Sequence, residues 1–167
     1  DQLSVGIDWG LGQTFMVLVS PVLFLADKFK TLSEVIAKYG SLDIIQYGLC
    51  VIDSHYMSNQ LDDLVIDKLK QWTMMCGSKP MIYADASHPY CNKRIKENKF
   101  NIIPIAFAKF KVVGLVNVKR WLMCNRLKLA RKNNLLIQQM KHLKESDEGK
   151  IIKRSGSDEL ADHGPDA

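Results

Sequence analysis

The chain has 167 residues, 47% apolar and 25% charged, enough for one folded domain with a substantial core and too few for two large ones. No apolar run approaches the ~18 residues of a membrane-spanning helix and no signal peptide opens the chain, which leads us to expect no membrane partner. Lys and Arg outnumber Asp and Glu by 23 to 18, a balance that favours an anionic partner such as nucleic acid.

Leu3 to Asp8 reads as a short apolar strand, Gly10 to Gln13 as a tight turn, and Thr14 to Val19 as a second β-rich run. Pro21 is expected to separate this run from a third strand, Val22 to Lys30. Leu32, Val35, Ile36 and Tyr39 share one face of a short helix closed by Gly40. Residues 41–57 suit either a strand or a short helix. From Gln60 to Met75, Leu61, Leu64, Val65, Leu69 and Trp72 recur at helical spacing, and Gly77-Ser78 ends that helix.

Met81 to Asp85 is an apolar strand with an acid at its exit, and Pro89 can occupy the first turn of a helix reaching about Glu97. Asn101 to Ala106 is a further strand. Val112 to Asn125 reads as a helix with Val113, Val116, Leu122 and Met123 inward, followed by a strand near Leu127 to Ala130 and a helix from Asn133 to Leu143. Glu145 to Glu159 is charged around Lys150-Ile151-Ile152-Lys153-Arg154 and is expected to form an exposed hairpin or loop. Strands separated by helices predict a mixed α/β sheet covered by helices. Cys50, Cys76, Cys91 and Cys124 lie too far apart for a CxxC metal knuckle and are expected as reduced, buried thiols in a cytosolic setting.

Asp8 and Asp85 each follow an apolar strand and precede a turn, where side chains from different strands converge on the rim of a sheet. Either alone reads equally as a turn or capping aspartate. More acid stands in Asp162-His163-Gly164-Pro165-Asp166-Ala167, where Asp162 and Asp166 compete for a third role and His163 can coordinate metal, orient water or face solvent. Carboxylates gathered without an opposing base call for divalent cations. Two Mg²⁺ or Mn²⁺ ions about 3.5 to 4 Å apart would suit phosphodiester cleavage.

These segments, in their order, resemble the C-terminal nuclease domain of the large terminase subunit of tailed bacteriophages, over nearly all of the chain. Gly6-Ile7-Asp8-Trp9-Gly10 looks like the family's first acidic motif, Tyr83-Ala84-Asp85-Ala86-Ser87-His88-Pro89 its second, and Asp162-His163-Gly164-Pro165-Asp166-Ala167 its third. Ala106-Phe107-Ala108-Lys109, Gly114-Leu115 and Arg126-Leu127-Lys128-Leu129 resemble its basic segment and the helix and strand that follow. The resemblance implies an RNase H-like, RuvC-like fold. It assigns the third acid to Asp166, with His163 as a nearby helper, and makes Asp8, Asp85 and Asp166 the expected ligands of two divalent cations.

It also implies a metal-dependent endonuclease that cuts concatemeric double-stranded viral DNA during genome packaging. The domain is expected to be excised from a longer subunit, with the packaging ATPase domain, the portal and the small terminase subunit as partners, in the cytoplasm of the infected bacterium at the procapsid portal. Expected DNA contacts are Lys109 and Lys111, then Arg126 and Lys128, and Lys150, Lys153 and Arg154 as a clamp outside the site. Trp9, Trp72 and Trp121 read as packing residues, His55 and His142 as surface residues, and His88 as part of the turn after Asp85.

Three alternatives stand beside this reading. One is a structure-selective resolvase on the same fold, and another is a non-catalytic DNA-binding or motor-assembly module. The third is a sugar-kinase or actin-like ATP-binding fragment, prompted by the glycines from Gly6 to Gly12. The sequence has no GxxxxGK[ST] loop, so ATP hydrolysis by that route is not expected.

Overall fold

The computed structural model describes residues 2–10, 13–24, 32–39, 46–58, 62–142, 144–145 and 151–152. Chain order runs β1 (Ser4–Gly10), β2 (Gln13–Phe24), α1 (Leu32–Tyr39), β3 (Gln46–Met57), α2 (Asp62–Cys76), β4 (Met81–Asp85), α3 (Pro89–Glu97) and β5 (Ile102–Ile105). It continues through α4 (Phe107–Met123), β6 (Leu127–Leu129), α5 (Asn134–His142), β7 (Lys144–Glu145) and β8 (Ile151–Ile152). Six strands form one mixed sheet in the order β5-β4-β1-β2-β3-β6. Strands β1, β3, β4, β5 and β6 run one way and β2 runs against them.

Alternation along the central strands builds two apolar layers, because successive side chains leave a strand on opposite faces. Val5, Ile7 and Trp9 of β1 join Met16 and Leu18 of β2 and Ile82 and Ala84 of β4 on one face. Helices α2 and α3 cover it with Val65, Leu69, Trp72, Cys91 and Ile95. An ion pair between Arg94 and Asp63 ties the two helices together. On the opposite face Phe15, Val17 and Val51 pack against Leu136 of α5. The sheet is thus a central layer with helices on both sides.

Several boundaries differ from those expected. Pro21 does not interrupt β2, which runs on to Phe24. Pairing of β1 with β2 ends at Ser4↔Val19, so Pro21 is paired with β3 alone, opposite Leu49, and its missing N–H disrupts no ladder on the other side. The ambiguous segment 41–57 is strand from Gln46 onward. Leu64 is 47% exposed while Ile66 takes the buried position, because α2 packs on the stripe Val65, Ile66, Leu69 and Trp72.

Helix α4 begins at Phe107, five residues before the expected start, and its orientation differs from the sequence reading. Val113, Val116, Leu122 and Met123 point outward, with Met123 79% exposed. The helix is apolar on more than one side, and the half-buried stripe is Phe107, Leu115, Val118 and Trp121. Trp121 is half-buried on that stripe, whereas Val113 and Val116, expected inward, are exposed.

Helix ends follow backbone rules. Gly77, at φ +70°, closes α2, and Lys99 and Asn125 adopt φ 62° and 58° just beyond α3 and α4. After Asn125, the Arg126 N–H returns to the Trp121 carbonyl at 2.7 Å and satisfies an otherwise orphaned helix-end acceptor. Near the C-terminus, Lys144–Glu145 and Ile151–Ile152 pair as an antiparallel ladder, matching the hairpin alternative there. Lys150, Lys153, Arg154, Asp162, His163 and Asp166 lie outside the described residues, as do residues 25–30 of the expected third strand.

Candidate active site

Strands β1 and β4 are parallel neighbours, with Ser4 opposite Met81, Val5 opposite Ile82, Gly6 opposite Tyr83 and Ile7 opposite Ala84. The next residue on each strand is an acid. The constant offset of 77 positions sets Asp8 beside Asp85, and the pleat sends both side chains to the face opposite Ile7 and Ala84. Asp8 is also the register partner of Phe15, which places its carboxylate on the face covered by α5. Asp8 is 9% exposed and Asp85 is half-buried, so one forms the floor and the other the rim.

The turn after β4 organises Asp85 closely. Ser87 donates its backbone N–H to Oδ1 at 3.0 Å and its hydroxyl to Oδ2 at 2.6 Å, an Asx-type turn that uses both carboxylate oxygens. With its one proton turned to Asp85, Ser87 Oγ accepts from His88 Nδ1 at 2.9 Å. The His88 ring stands 6.5 Å from that of Trp9, centroid to centroid, and its side chain makes no cap bond to α3. Pairing of Asp85 with Ile105 and an Ala86 N–H bond to the Ile105 carbonyl hold the β5 side of the exit.

Asn92 supplies a link on the other side. Its Oδ1 accepts from Trp9 Nε1 at 3.0 Å, and its Nδ2 donates to the Asp85 carbonyl at 2.8 Å. Sequence reasoning missed both Ser87 and Asn92. The D-x-S spacing signals the first, but nothing local signals the second, whose partner Trp9 lies 83 residues away.

The expected basic residues separate. Lys109 is exposed on the first turn of α4, just past the β5 exit, with its ammonium 5.6 Å from the Phe110 ring centroid. Lys111 is half-buried and engaged in an interaction of its own. Arg126 stands before β6, at the far edge of the sheet and at the end opposite the β1 and β4 exits. Lys128, within β6, bonds to Asn125 Oδ1.

A second polar cluster lies on the α2 face of β3. Asp53 accepts from Trp72 Nε1 at 2.8 Å and pairs with Lys68 at 3.4 Å and Lys132 at 3.3 Å. Burial alone would raise the Asp53 carboxyl, but the indole and the two ammoniums outweigh it and hold it below its ordinary value. Burial and then Lys68 push the nearby His55 imidazole down, against the opposing pull of Asp53. His55 is half-buried in this cluster and not the surface residue expected.

Among the described residues no three His, Cys, Asp or Glu side chains gather as a metal cluster, and Asp166 is not among those residues. Asp8 and Asp85 nonetheless fit a divalent cation chemically. They offer hard oxygen donors from one face of two adjacent strands, with the Asp85 carboxylate oriented by Ser87. All four cysteines are free thiols, Cys91 buried, Cys50 and Cys76 half-buried and Cys124 exposed, so the expectation of burial fails for the last of them. Among the described residues no helix is long and apolar enough to cross a membrane.

No protein-family model and no curated protein matches the chain. Solved structures do. The P22 large terminase nuclease domain superposes with a TM-score of 0.60 at 9% identity, over 92% of this chain and 73% of that one. The large terminase nuclease of thermophilic phage G20c gives 0.55 at 10% identity, over 99% and 79%. The nuclease domain of the bacteriophage SPP1 large terminase, solved with bound Mn, gives 0.54 at 15% identity, over 91% and 75%.

The large terminase of a second thermophilic bacteriophage matches with a TM-score of 0.63 at 9% identity, over 95% of this chain, which spans 36% of that one. The mixed six-stranded sheet with helices on both faces is an RNase H-like α/β fold. Its particular likeness is to the nuclease domains of phage large terminases.

Proposed function

We propose that this chain is a metal-dependent nuclease domain that cuts double-stranded DNA in phage genome packaging. The observation that carries the reading is the register of β1 and β4, which delivers Asp8 and Asp85 side by side on one face at the strand exits. The terminase nuclease folds of P22, G20c and SPP1 support it, and the Mn in the SPP1 structure supports a divalent cation.

In this reading Asp8, Asp85 and Asp166 hold two cations, Mg²⁺ or Mn²⁺, with Asp8 as the buried floor ligand and Asp85 as the rim ligand. When bound, such cations lower the pKa of water and neutralise charge on the departing 3′ oxygen. The protein's own part is to fix the carboxylates. Ser87 holds both oxygens of Asp85, and His163 assists from the third motif as a proton carrier or orienting group.

Lys109, on the first turn of α4 just past the β5 exit, would hold a phosphate beside the scissile bond. Lys111, Arg126, Lys128, Lys150, Lys153 and Arg154 would contact the duplex further out, binding backbone without reading sequence. The domain would work within a longer subunit whose ATPase domain, portal and small-subunit contacts bring it to the procapsid in the infected bacterial cytoplasm. Structures of the second thermophilic phage's large terminase with ATP-γ-S or ADP bound support the ATPase partner.

Supercoiled-plasmid cleavage tests the reading. Nicking and linearisation with Mn²⁺ or Mg²⁺, absent with EDTA and absent in Asp85→Ala, is the expected result. A folded chain that leaves plasmid intact under every metal, or an Asp85→Ala variant as active as the parent, would overturn it. Comparing linear duplex with four-way junctions separates it from a resolvase.

A further inference from the structure

We propose that Asn92 is a positioning residue for the acidic site, holding apart and in line the two strand exits that carry Asp8 and Asp85. The inference rests on the nuclease reading above. The β1–β4 ladder extends only to Ile7↔Ala84, one residue short of both acids. Register pairing between these two strands therefore ends one residue before the acids, which are paired outward instead, Asp8 with Phe15 of β2 and Asp85 with Ile105 of β5.

Beyond the last ladder pair, the side chain of Asn92 spans the gap, from Trp9 Nε1 on β1 at 3.0 Å to the carbonyl of Asp85 on β4 at 2.8 Å. Each partner is the residue next to an acid or the acid itself. Asn92 is 5% exposed, and its backbone N–H donates to the His88 carbonyl at 3.1 Å, which seats it in the first turn of α3.

The chemistry of the bridge fixes the residue type. An indole N–H can only donate and a peptide carbonyl can only accept, so the spanning group must present one acceptor and one donor a short distance apart. A primary amide does this in one orientation. An aspartate would set an oxygen against the Asp85 carbonyl and bury a charge, and a leucine would leave both partners unpaired.

The bridge lies on the α3 face and the carboxylates on the α5 face, so Asn92 touches neither metal nor substrate. It acts through backbone position, and ligand atoms must stand within a few tenths of an ångström of their places for a metal to bind well. Supporting groups of this kind typically change metal affinity by about 10- to 100-fold when removed.

The test titrates Mn²⁺ into the chain and reads free Mn²⁺ by electron paramagnetic resonance, with melting temperature as a second readout. It compares the parent with Asn92→Ala, Trp9→Phe, their double variant and Asp85→Ala. Trp9→Phe keeps an aromatic ring in the core while removing the N–H together with part of the indole, and it leaves Asn92 itself intact, so it serves even where Asn92→Ala folds poorly. Expected is about a 10-fold rise in half-saturating Mn²⁺ for each single variant. The double variant should rise no further, since both substitutions break one bridge.

Melting temperatures lowered with half-saturation unchanged in both single variants would make Asn92 merely structural and overturn the proposal. That result, alongside binding lost in Asp85→Ala, leaves the nuclease reading standing. A parent that binds Mn²⁺ no better than Asp85→Ala overturns both.

Discussion

Trp72 donates its indole N–H to Asp53 Oδ2 at 2.8 Å, joining the buried face of α2 to the middle of β3. Trp72 is 1% exposed, and the same carboxylate gathers Lys68 and Lys132. Replacing Trp72 with Phe keeps most of the ring but strips a hydrogen bond from a charged group. The expected loss is about 1.5–3 kcal/mol of unfolding free energy, read by urea denaturation at neutral pH. An unchanged midpoint would mean that the indole bond contributes nothing.

The same cluster makes stability depend on pH. The folded state depresses the pKa values of both His55 and Asp53, so the unfolded chain binds more protons between each pair of values and stability falls as pH falls. The His55 contribution is complete above its ordinary value of 6.5 and is lost as pH drops through the folded value. The Asp53 contribution is complete above 3.8 and goes at lower pH. Urea midpoints measured from pH 8 downward should decline in two stages, with His55→Gln removing the first. A His55→Gln profile that superposes on the parent's would contradict this.

Core burial predicts a sharp contrast between two aliphatic positions. Ile95→Ala empties a site 1% exposed between α3 and the sheet and should cost about 2–5 kcal/mol. Val112→Ala, at a position 73% exposed on α4, should stay within about 0.5 kcal/mol. Equal costs at the two sites would mean that α4 is oriented otherwise in solution.

Ser87→Ala removes the hydroxyl that holds Asp85 Oδ2 and leaves the Ser87 backbone N–H to Oδ1 in place. Plasmid cleavage should persist at saturating Mn²⁺, and the half-maximal Mn²⁺ concentration should rise by about 10-fold. A fall in maximal rate with that concentration unchanged would point to a role for Ser87 beyond orienting the carboxylate.

Thiol labelling checks the packing without reference to function. Cys124, exposed just past α4, should react first with a thiol reagent, Cys50 and Cys76 more slowly, and buried Cys91 on a timescale set by opening of the structure. Peptide mapping of the labelled chain would give the order.

Much of the fold was legible because its signals are local. Apolar alternation marked β1, β2 and β4, Pro89 and Gly77 marked helix ends, and the repeat of an acid after an apolar strand marked Asp8 and Asp85. What escaped depends on contacts distant in sequence. Val113 and Val116 read as inward because α4 is apolar on two sides, and only packing selects Phe107, Leu115, Val118 and Trp121. Pro21 read as a break because its harmlessness depends on β1 having ended beside it. Asn92 was invisible for the same reason, and Asp53 gave no sign of its partnership with Trp72 and Lys132.

The register of β1 carries a consequence for the folding of the chain. A slip of one residue against β2 would exchange the two faces of the strand, turning Asp8 into the layer of Met16, Leu18 and Trp72 and setting Ile7 and Trp9 on the face of the candidate site. Such a molecule would bury a carboxylate among hydrocarbon and expose an indole, a misfolded form far less stable than the native one. Selection for a stable sheet and selection for a correctly aimed acid therefore act on this strand as a single constraint, and mis-registered chains are removed by their instability before their activity is ever tested.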